Sequence, residues 1–504
     1  MKRSAFVLLV LASPVALGEN AETLAERSHA QARAVLDRAV QALGGPQSLR
    51  GIEVVRLRLE GETWPRFQMP TPNPPFESAS LRETVLVDFK NNRLALEQQG
   101  SGAGFENHNG VVITTGEGAA YDHRARTVTP IPGSQSNQQQ FVQYYRRVPH
   151  LLLRQAIDRP TSLRYLGTEN YNGKPHEAFT FVMADTQQVA VYVDSSTNLV
   201  SKYELVFVDP VAGDDVSEIV FGNYVTTGTQ QVPTTWTWFQ VGQKVADAKI
   251  SVELNPPVTD EAFKVSATGY QQAKPQPDTL PAEVEKLADG VYVVHNVAGQ
   301  NQNTLAVEFK DHIIAVEAPG SSDGTEQVIE RIKQAIPDKP IRFIAMTHHH
   351  GDHIGGLRSF IAEGATVVTT PGNRSTVEAM SVAPQSDRLA KNPRAPQFAF
   401  IERGRRVFKD GRQTLELIDV GPNPHAREMV IAYLPRQRII FQGDLFFIPA
   451  NDAPPGPPQE TTLSFVKKLR ELKLQFDRIA SVHGRTATKD EFDRAVRTDA
   501  SGDN

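Results

Sequence analysis

The hydrophobic and polar positions of this chain repeat with two different periods. Between Ala21 and Leu43 apolar residues recur at helical spacing, and Gly44 with Gly45 ends that pattern. From Ile52 the period becomes two, which predicts half-buried strands at 84–89, 94–98, 188–193, 201–208 and 234–241. A second helix is predicted over 138–156. Residues 19–270 are therefore expected to form a mostly antiparallel β domain that begins with one helix.

The pattern changes after the stretch QQAKPQPDTLP at 271–281, whose proline and polar composition is typical of a linker. Beyond it, strands predicted at 291–296, 304–309 and 312–316 lead to a helix at 324–335 and a strand at 341–346. Strands and helices continue to alternate to the end of the sequence, which indicates an α/β fold. We therefore divide the chain into a β domain (19–270), a linker (271–281) and an α/β domain (282–504).

The first residues have the pattern of a secretory signal. Lys2 and Arg3 precede the apolar run from Ala5 to Ala12, and small residues near Gly18 fit a cleavage site. We expect residues 1–18 to be removed and the mature protein to be periplasmic or secreted; an apolar helix that stays attached is the alternative. No later apolar stretch reaches the ~20 residues that a transmembrane helix needs, so none is predicted in the mature chain.

Composition narrows the chemistry and the partners. With 53 basic and 58 acidic residues the chain has no surplus of positive charge for phosphates, so nucleic acid is not an expected partner. Because the sequence contains no cysteine, it can form neither disulfides nor a thiolate metal site. Any bound metal must therefore be held by nitrogen and oxygen. The sequence indicates no particular oligomeric state.

Four of the 13 histidines lie close together in the stretch AMTHHHGDHIGGL at 345–357. The stretch follows a predicted strand and precedes a helix predicted over 354–363, and α/β folds present ligand-binding residues at the carboxyl ends of strands. His348 and His350 can converge on one metal ion while Asp352 and His353 turn towards a neighbouring ion. The glycines at 351, 355 and 356 permit close approach of the backbone. The alternative is a solvated turn that is rich in histidine by accident.

Three later stretches extend this pattern. DVGPNPHAREMVIAYLP contains His425, RIIFQGDLFF contains Asp444, and DRIASVHGR contains His483. Together with THHHGDH, which fits a His-x-His-x-Asp-His motif, they resemble the metallo-β-lactamase superfamily over roughly 281–495. The resemblance implies an αββα sandwich for the C-terminal domain.

The resemblance also implies a set of metal ligands. One metal would be held by His348, His350 and His425, the second by Asp352, His353 and His483, with Asp444 bridging the two. His349 is not among the implied ligands, and we expect it either to support them or to be exposed. Imidazole and carboxylate ligands suit Zn²⁺, so two zinc ions per chain are expected, with iron as the alternative.

The implied function is that of an exported dizinc metallo-hydrolase, in which a metal-bound hydroxide oriented by Asp352 cleaves an ester, thioester, lactone or lactam. Nucleases of the superfamily carry an extra domain between the third histidine and the bridging aspartate, and the spacing from His425 to Asp444 is too short for one. Glutathione thioesterases and alkylsulfatases extend beyond the last ligand, whereas a short tail follows His483, which disfavours both. A mononuclear iron dioxygenase of the same fold, acting on persulfides, and a carrier protein with an inactive metal domain remain alternatives.

The N-terminal domain has a weaker resemblance, to the half-barrel of periplasmic lipoprotein carriers. It depends on the stretches LGTENYNGKPHEAFTF, VYVDSSTNLVSKYEL and FGNYVTTGTQQVPTTWTW. The resemblance implies an apolar cavity and an amphiphilic small-molecule substrate; a scaffold that only packs on the catalytic domain is the alternative. His108, His123, His150 and His176 have no ligand spacing to one another, so we expect each of them to have an ordinary structural role.

Overall fold

The structure is a computed structural model that describes residues 22–132, 141, 143–275, 281–297 and 301–497. The predicted signal, 1–18, and part of the predicted linker, 276–280, lie outside these residues. The α-helices are α1 (Leu24–Ala42), α2 (Pro46–Arg50), α3 (Pro149–Asp158), α4 (Ser322–Ala335), α5 (Gly351–Ile354), α6 (Leu357–Glu363), α7 (Arg374–Ser381), α8 (Arg388–Lys391), α9 (Glu460–Leu472) and α10 (Lys489–Ala495).

The strands fall into an N-terminal and a C-terminal set. The N-terminal strands are β1 (Val54–Thr63), β2 (Ala79–Asp88), β3 (Arg93–Gly102), β4 (Phe105–Ile113), β5 (Gly118–Asp122), β6 (Thr127–Ile131), β7 (Arg164–Tyr171), β8 (Lys174–Val182), β9 (Gln188–Asp194), β10 (Val200–Asp209), β11 (Gly213–Gly222), β12 (Val225–Thr227), β13 (Gln230–Val232), β14 (Thr235–Gln240), β15 (Gln243–Leu254) and β16 (Gln271–Gln272). The C-terminal strands are β17 (Glu283–Ala288), β18 (Val291–His295), β19 (Thr304–Glu308), β20 (Ile313–Val316), β21 (Ile341–Ala345), β22 (Thr366–Thr369), β23 (Phe398–Phe400), β24 (Arg405–Lys409), β25 (Thr414–Asp419), β26 (Val430–Leu434), β27 (Ile439–Gln442), β28 (Arg478–Ser481) and β29 (Ala487–Thr488).

One sheet of 14 strands dominates the N-terminal region, in the order β16-β6-β5-β4-β3-β2-β1-β15-β14-β11-β10-β9-β8-β7. Its neighbouring strands pair antiparallel, apart from the short β16, which pairs parallel with β6. The period of two is visible in β1, where Leu57 and Leu59 are buried and Arg58 and Glu60 are exposed. The mostly antiparallel N-terminal domain predicted from the sequence is therefore confirmed.

Helices α1 and α3 cover one face of this sheet. Leu36 of α1 and Leu152 of α3 are fully buried in the same core as Leu57 and Val85 of the sheet. Thr23 begins α1 with a capping box, in which its side chain and that of Glu26 satisfy each other's backbone N–H groups. The predicted first helix, 21–43, therefore agrees closely with α1.

The C-terminal region consists of two sheets with helices on both outer sides. Strands β17 to β23 form one sheet and β24 to β29 the other. Val293 and Val307 of the first sheet pack against Leu417 and Phe441 of the second, in a core between the two. Helices α4 and α6 cover the first sheet through a further core, and α9 and α10 cover the second. The predicted αββα sandwich is confirmed.

The structure changes the bounds of two predicted helices. Residues 138–140 and 142 of the helix predicted over 138–156 lie outside the described residues. The rest of that range is divided: 143–146 form a 3-10 turn, and α3 begins at Pro149, where the fixed φ of proline suits a first helical position. The helix predicted over 354–363 is also divided, into α5 and α6. A Cβ on Gly355 would lie 2.0 Å from the Gly320 carbonyl oxygen, and one on Gly356 would lie 1.6 Å from Thr325 Oγ1. The two glycines are therefore needed for this close packing.

The N-terminal and C-terminal regions share an interface. Val211 and Phe67 of the N-terminal region pack in the core that α4 and α6 form on the first sheet. The backbone N–H of Asp214 donates to the carbonyl of Pro384 at 2.8 Å. Within the described residues, no helix is long and apolar enough to cross a membrane.

Candidate metal centre

The predicted ligands lie in loops at the carboxyl ends of strands. The loop after β21 leads through His348 and His350 directly into α5, so that Asp352 is in the first turn of that helix. Asp444 follows β27 and His483 follows β28 in the same way. Because these strand ends meet at one edge of the sandwich, residues far apart in sequence become neighbours.

All seven predicted ligands come together in two groups that share one member. Within each group the potential ligand atoms lie within 4.8 Å of one another. The first group is His348, His350, His425 and Asp444, and the second is Asp352, His353, Asp444 and His483. These are the two sets that the family resemblance implies.

Asp444 joins the two groups through its two carboxylate oxygens. Its Oδ2 lies 3.1 Å from Nε2 of His425 in the first group. Its Oδ1 lies 3.1 Å from Nε2 of His353 and 3.3 Å from Nε2 of His483 in the second group. A carboxylate with one oxygen directed at each group has the position of a bridging ligand.

The donor atoms at the centre fit a bound cation. His348 and His425 direct their Nε2 atoms at each other, 3.2 Å apart. Nδ1 of His350 is buried and has no hydrogen-bond partner within the described residues. A buried polar atom without a partner costs ~1–3 kcal/mol, whereas a metal ion satisfies several such lone pairs at once.

Hydrogen bonds on the far side of each ring set the orientation of the histidines. Nδ1 of His348 lies 2.9 Å from the Thr347 hydroxyl, and Nδ1 of His353 lies 2.6 Å from Oε2 of Glu317. An imidazole N–H that donates to such a partner leaves the other ring nitrogen with a lone pair for a metal. Glu317 was not among the predicted residues, although an acidic residue at the end of the apolar strand β20 was a usable signal.

The electrostatics of the two groups differ. Burial lowers the pKa of His348 and His350 well below the usual value, and neighbouring histidines lower it further. Both rings are therefore neutral at pH 7, the form that binds metal ions. Burial opposes protonation of His353, but Asp444, Asp352 and Glu317 raise its pKa well above the usual value. The carboxylates around His353 thus favour positive charge at this position, carried either by a proton or by a cation.

A loop of the N-terminal region, between β1 and β2, lies against the centre. The carbonyl oxygen of Met69 lies 2.9 Å from Nε2 of His349 and 2.9 Å from Nε2 of His350. The amide nitrogen of Gln68 donates to Oδ1 of Asp352 at 2.6 Å. The N-terminal region therefore holds two predicted ligands in place, which sequence reasoning did not anticipate.

His349 is buried, with 1% of its surface exposed, and belongs to neither ligand group. We expected His349 either to support the ligands or to be exposed. The structure shows that it is not exposed. Burial lowers its pKa to about 4, so its ring is neutral at pH 7.

A second turn of the N-terminal region, between β3 and β4, contacts His425. The carbonyl oxygen of Ala103 lies 3.2 Å from Nδ1 of His425, and the ring of Phe105 packs edge-on at 4.9 Å between centroids. A proton on Nδ1 would be donated to Ala103, which leaves Nε2 directed at Asp444. No local motif identifies these two residues from the sequence.

A cavity of about 280 Å³ opens beside Asp444. Residues of both regions line it, including Phe105, Asn107 and Arg124 from the N-terminal sheet and Phe446 with Phe447 from the loop after β27. A larger cavity, of about 810 Å³, lies near the proline-rich loop 453–458 and is lined by none of the seven predicted ligands. The smaller cavity is therefore the candidate substrate site.

Residues 319–483 match the sequence model of the metallo-beta-lactamase superfamily. Over these residues the C-terminal domain of this chain is therefore similar to that superfamily. The matched segment contains all seven candidate ligand positions, from His348 to His483.

Comparison with individual proteins gives shorter or weaker matches. A linear primary-alkylsulfatase from Pseudomonas sp. (strain ATCC 19151) is 37% identical over 57 residues, which span 11% of this chain and 11% of that protein. Among solved structures, the mono-zinc form of metallo-beta-lactamase FIM-1 from Pseudomonas aeruginosa is 22% identical, with a TM-score of 0.31. The aligned part spans 43% of this chain and 94% of the FIM-1 chain. The sec-alkylsulfatase Pisa1 from Pseudomonas sp. is 14% identical, with a TM-score of 0.31, over 41% of this chain and 39% of its own. At these TM-scores the structural likenesses carry no argument about substrate.

Proposed function

We propose that this protein is a hydrolase that uses two zinc ions. The observation that carries the proposal is the position of Asp444, whose two oxygens face two separate groups of nitrogen and oxygen ligands. Zinc ions held there would supply Lewis acidity and would make water a nucleophile near neutral pH. Three imidazoles and a carboxylate form the first set, and one fewer imidazole and one more carboxylate form the second.

Asp352 is the residue that we propose orients the attacking water. Its Oδ2 lies 3.3 Å from Nε2 of His483, and its Oδ1 accepts a hydrogen bond from Gln68. The carboxylate is thus fixed from two sides, and its pKa is lowered because His353 and His483 outweigh the effect of burial. It therefore stays ionised at pH 7 and can accept a hydrogen bond from water.

The proposed substrate is a small amphiphilic ester, thioester, lactone or lactam. Phe105, Phe446 and Phe447 give the cavity beside Asp444 an apolar wall, and Asn107 and Arg124 give it polar groups. Sulfate esters are added to this list because of the short match to an alkylsulfatase, a class that the sequence analysis had disfavoured from the length of the tail.

The test compares wild type with Asp352→Asn. This change keeps the size of the side chain but removes its charge, so we expect turnover to fall ~10²-fold or more, because loss of an orienting group misplaces the nucleophile. Asp477→Asn, the same change at a surface residue whose side chain is 61% exposed, serves as the control and should keep full activity. Substrates would be nitrocefin, a lactone, a thioester, a p-nitrophenyl ester and an alkyl sulfate, with zinc and iron measured by mass spectrometry.

The outcomes separate the alternatives. About two zinc ions per chain together with hydrolysis of one of these substrates would support the proposal. One iron per chain, with oxygen consumption on a persulfide, would replace it by the dioxygenase. Metal binding without turnover of any substrate would favour the carrier, and full activity in Asp352→Asn would overturn the proposed role of this residue.

We also propose that the protein is exported. The proposal is supported by Lys2 and Arg3 before the apolar run from Ala5 to Ala12, and by the absence of cysteine from the whole sequence, which leaves no thiol to oxidise outside the cytoplasm. N-terminal sequencing of protein from the periplasm or medium should start near Glu19. A chain that still began at Met1 would contradict export by cleavage.

A further inference from the structure

A second cluster of metal-binding residue types lies on the N-terminal sheet. Strand pairing places Glu97 of β3 opposite Gly110 of β4, and the backbone N–H of His123 donates to the carbonyl of His108 at 2.9 Å. Residues directly across or diagonal on neighbouring strands share one face when the register allows it. The potential ligand atoms of Glu97, His108 and His123 lie within 4.8 Å of one another.

Both histidines direct the same ring nitrogen at the carboxylate. Nε2 of His123 lies 3.1 Å from Oε2 of Glu97, and Nε2 of His108 contacts Oε1 of the same group. Nδ1 of His123 lies 2.7 Å from the Tyr270 hydroxyl. If that nitrogen donates to the phenol oxygen, Nε2 keeps a lone pair that faces a carboxylate oxygen, and a cation between them would stabilise both.

Gly110 leaves the space that the cluster occupies. A Cβ at this position would lie 2.8 Å from Nε2 of His123 and 3.1 Å from Oε2 of Glu97. Glycine inside a strand weakens the strand, and its presence often marks a close approach of other groups. The glycine is thus matched to the two ligand atoms beside it.

We propose that Glu97, His108 and His123 bind a borderline divalent cation, with Zn²⁺ as the reference ion. Two imidazoles and one carboxylate are a ligand set that zinc and its neighbours among the divalent metals accept, with the remaining positions open to water. This site is separate from the two ligand groups that share Asp444. From their spacing in the sequence, His108 and His123 were expected to have ordinary structural roles, and the pairing of β3, β4 and β5 brings them together.

The site lies at the cavity of the metal centre. His108 lines the same cavity of about 280 Å³ as Asp444, and the side chains of Glu97, His108 and His123 are 49%, 39% and 19% exposed. An ion held there would be accessible from solvent and could exchange. Its binding does not depend on whether the chain is a hydrolase.

The test is a metal count on the full chain. Protein freed of metal by a chelator would be titrated with Zn²⁺ against a chromophoric competitor, for wild type, Glu97→Gln, the double variant His108→Ala with His123→Ala, and the control His29→Ala. His29 lies in the same region and contacts a backbone carbonyl, that of Pro160. We expect both cluster variants to bind one equivalent less than wild type, and the control to bind the same number.

Two further measurements show whether each variant is folded and whether the ion lies between these three side chains. Thermal unfolding with and without Zn²⁺ shows whether each variant folds, and Glu97→Gln preserves the size of the side chain. Crystals grown with zinc should show an anomalous difference peak between Glu97 and the two histidines at the zinc edge. Equal stoichiometry in wild type and in folded cluster variants, or the absence of that peak from a zinc-loaded crystal, would overturn the proposal.

Discussion

Replacement of Gln68 by methionine tests whether the N-terminal loop is part of the metal centre. Methionine has nearly the size of glutamine but cannot donate a hydrogen bond. The change therefore removes the contact of 2.6 Å between the Gln68 amide and Oδ1 of Asp352, while it leaves the ligand set itself unchanged.

The expected loss follows from the surroundings of that contact. A hydrogen bond to a charged group contributes ~1.5–3 kcal/mol. The side chain of Asp352 is 31% exposed, so water can replace part of the lost interaction, and the lower end of this range applies. About 1.4 kcal/mol corresponds to a factor of ten in affinity. We therefore expect ~10-fold weaker binding of one metal ion, within the ~10–100-fold range that is common for partners of metal ligands.

The assay is competitive zinc titration of wild type, Gln68→Met and Thr71→Val, together with kcat/KM on whichever substrate is found. Thr71 serves as the matched control, because its hydroxyl donates to Asn73 within the same loop and contacts no ligand. Zinc affinity and kcat/KM within about twofold of wild type in Gln68→Met would refute the reasoning. An equal loss in Thr71→Val would show that the effect arises from damage to the loop.

Three further predictions concern stability and the boundary between the regions. Arg358 is buried and donates to both oxygens of Asp387, so Asp387→Asn should lower the free energy of unfolding by ~3–5 kcal/mol in urea titrations, because it leaves a buried charge without its partner. Arg358 lowers the pKa of Asp387 to about 2, so the contribution of this pair to the free energy of unfolding is present above pH ~4 and is lost as the pH falls from there to about 2. A difference in unfolding free energy between wild type and Asp387→Asn that stays constant down to pH ~2 would contradict this. His349→Ala removes a buried ring and should cost ~2–5 kcal/mol of stability at unchanged zinc content, and loss of a zinc ion would instead make His349 a ligand. A fragment of residues 281–504 lacks Gln68 and Met69, so it should bind zinc at least ~10-fold more weakly than the full chain; equal affinity would mean that the two regions are independent.

The seven candidate ligands could be located from the sequence, because they are side chains in short stretches that resemble the motifs of one superfamily in the same order. His348 and Asp352 are recognisable by their residue types and their spacing. The strand before them, β21, places them at one edge of the sandwich. The alternation of strands and helices indicated an α/β fold, and the resemblance to the metallo-β-lactamase superfamily implied the sandwich. What the pattern could not fix was the start of α5, because a single turn is too short to show a helical period.

The contacts from the N-terminal region left no comparable signal. Met69 contributes a backbone carbonyl, which any residue carries, and Gln68 lies far from Asp352 along the chain. Likewise, the neighbourhood of His108 and His123 depends on the register of three strands, and a register is not readable from the spacing of two histidines.

These contacts also change how the N-terminal region should be understood. The resemblance to lipoprotein carriers implies an apolar cavity enclosed by the curved sheet, and in the structure α1 and α3 pack on one face of that sheet through residues such as Leu36 and Leu152. Strand β4 contributes to both places. Ile113 at its end is buried in the core under these helices, and Phe105 at its start lines the cavity beside Asp444. An amphiphilic molecule that enters this cavity would therefore contact the N-terminal region and the metal centre at the same time. In this arrangement the N-terminal region forms one wall of the candidate substrate site.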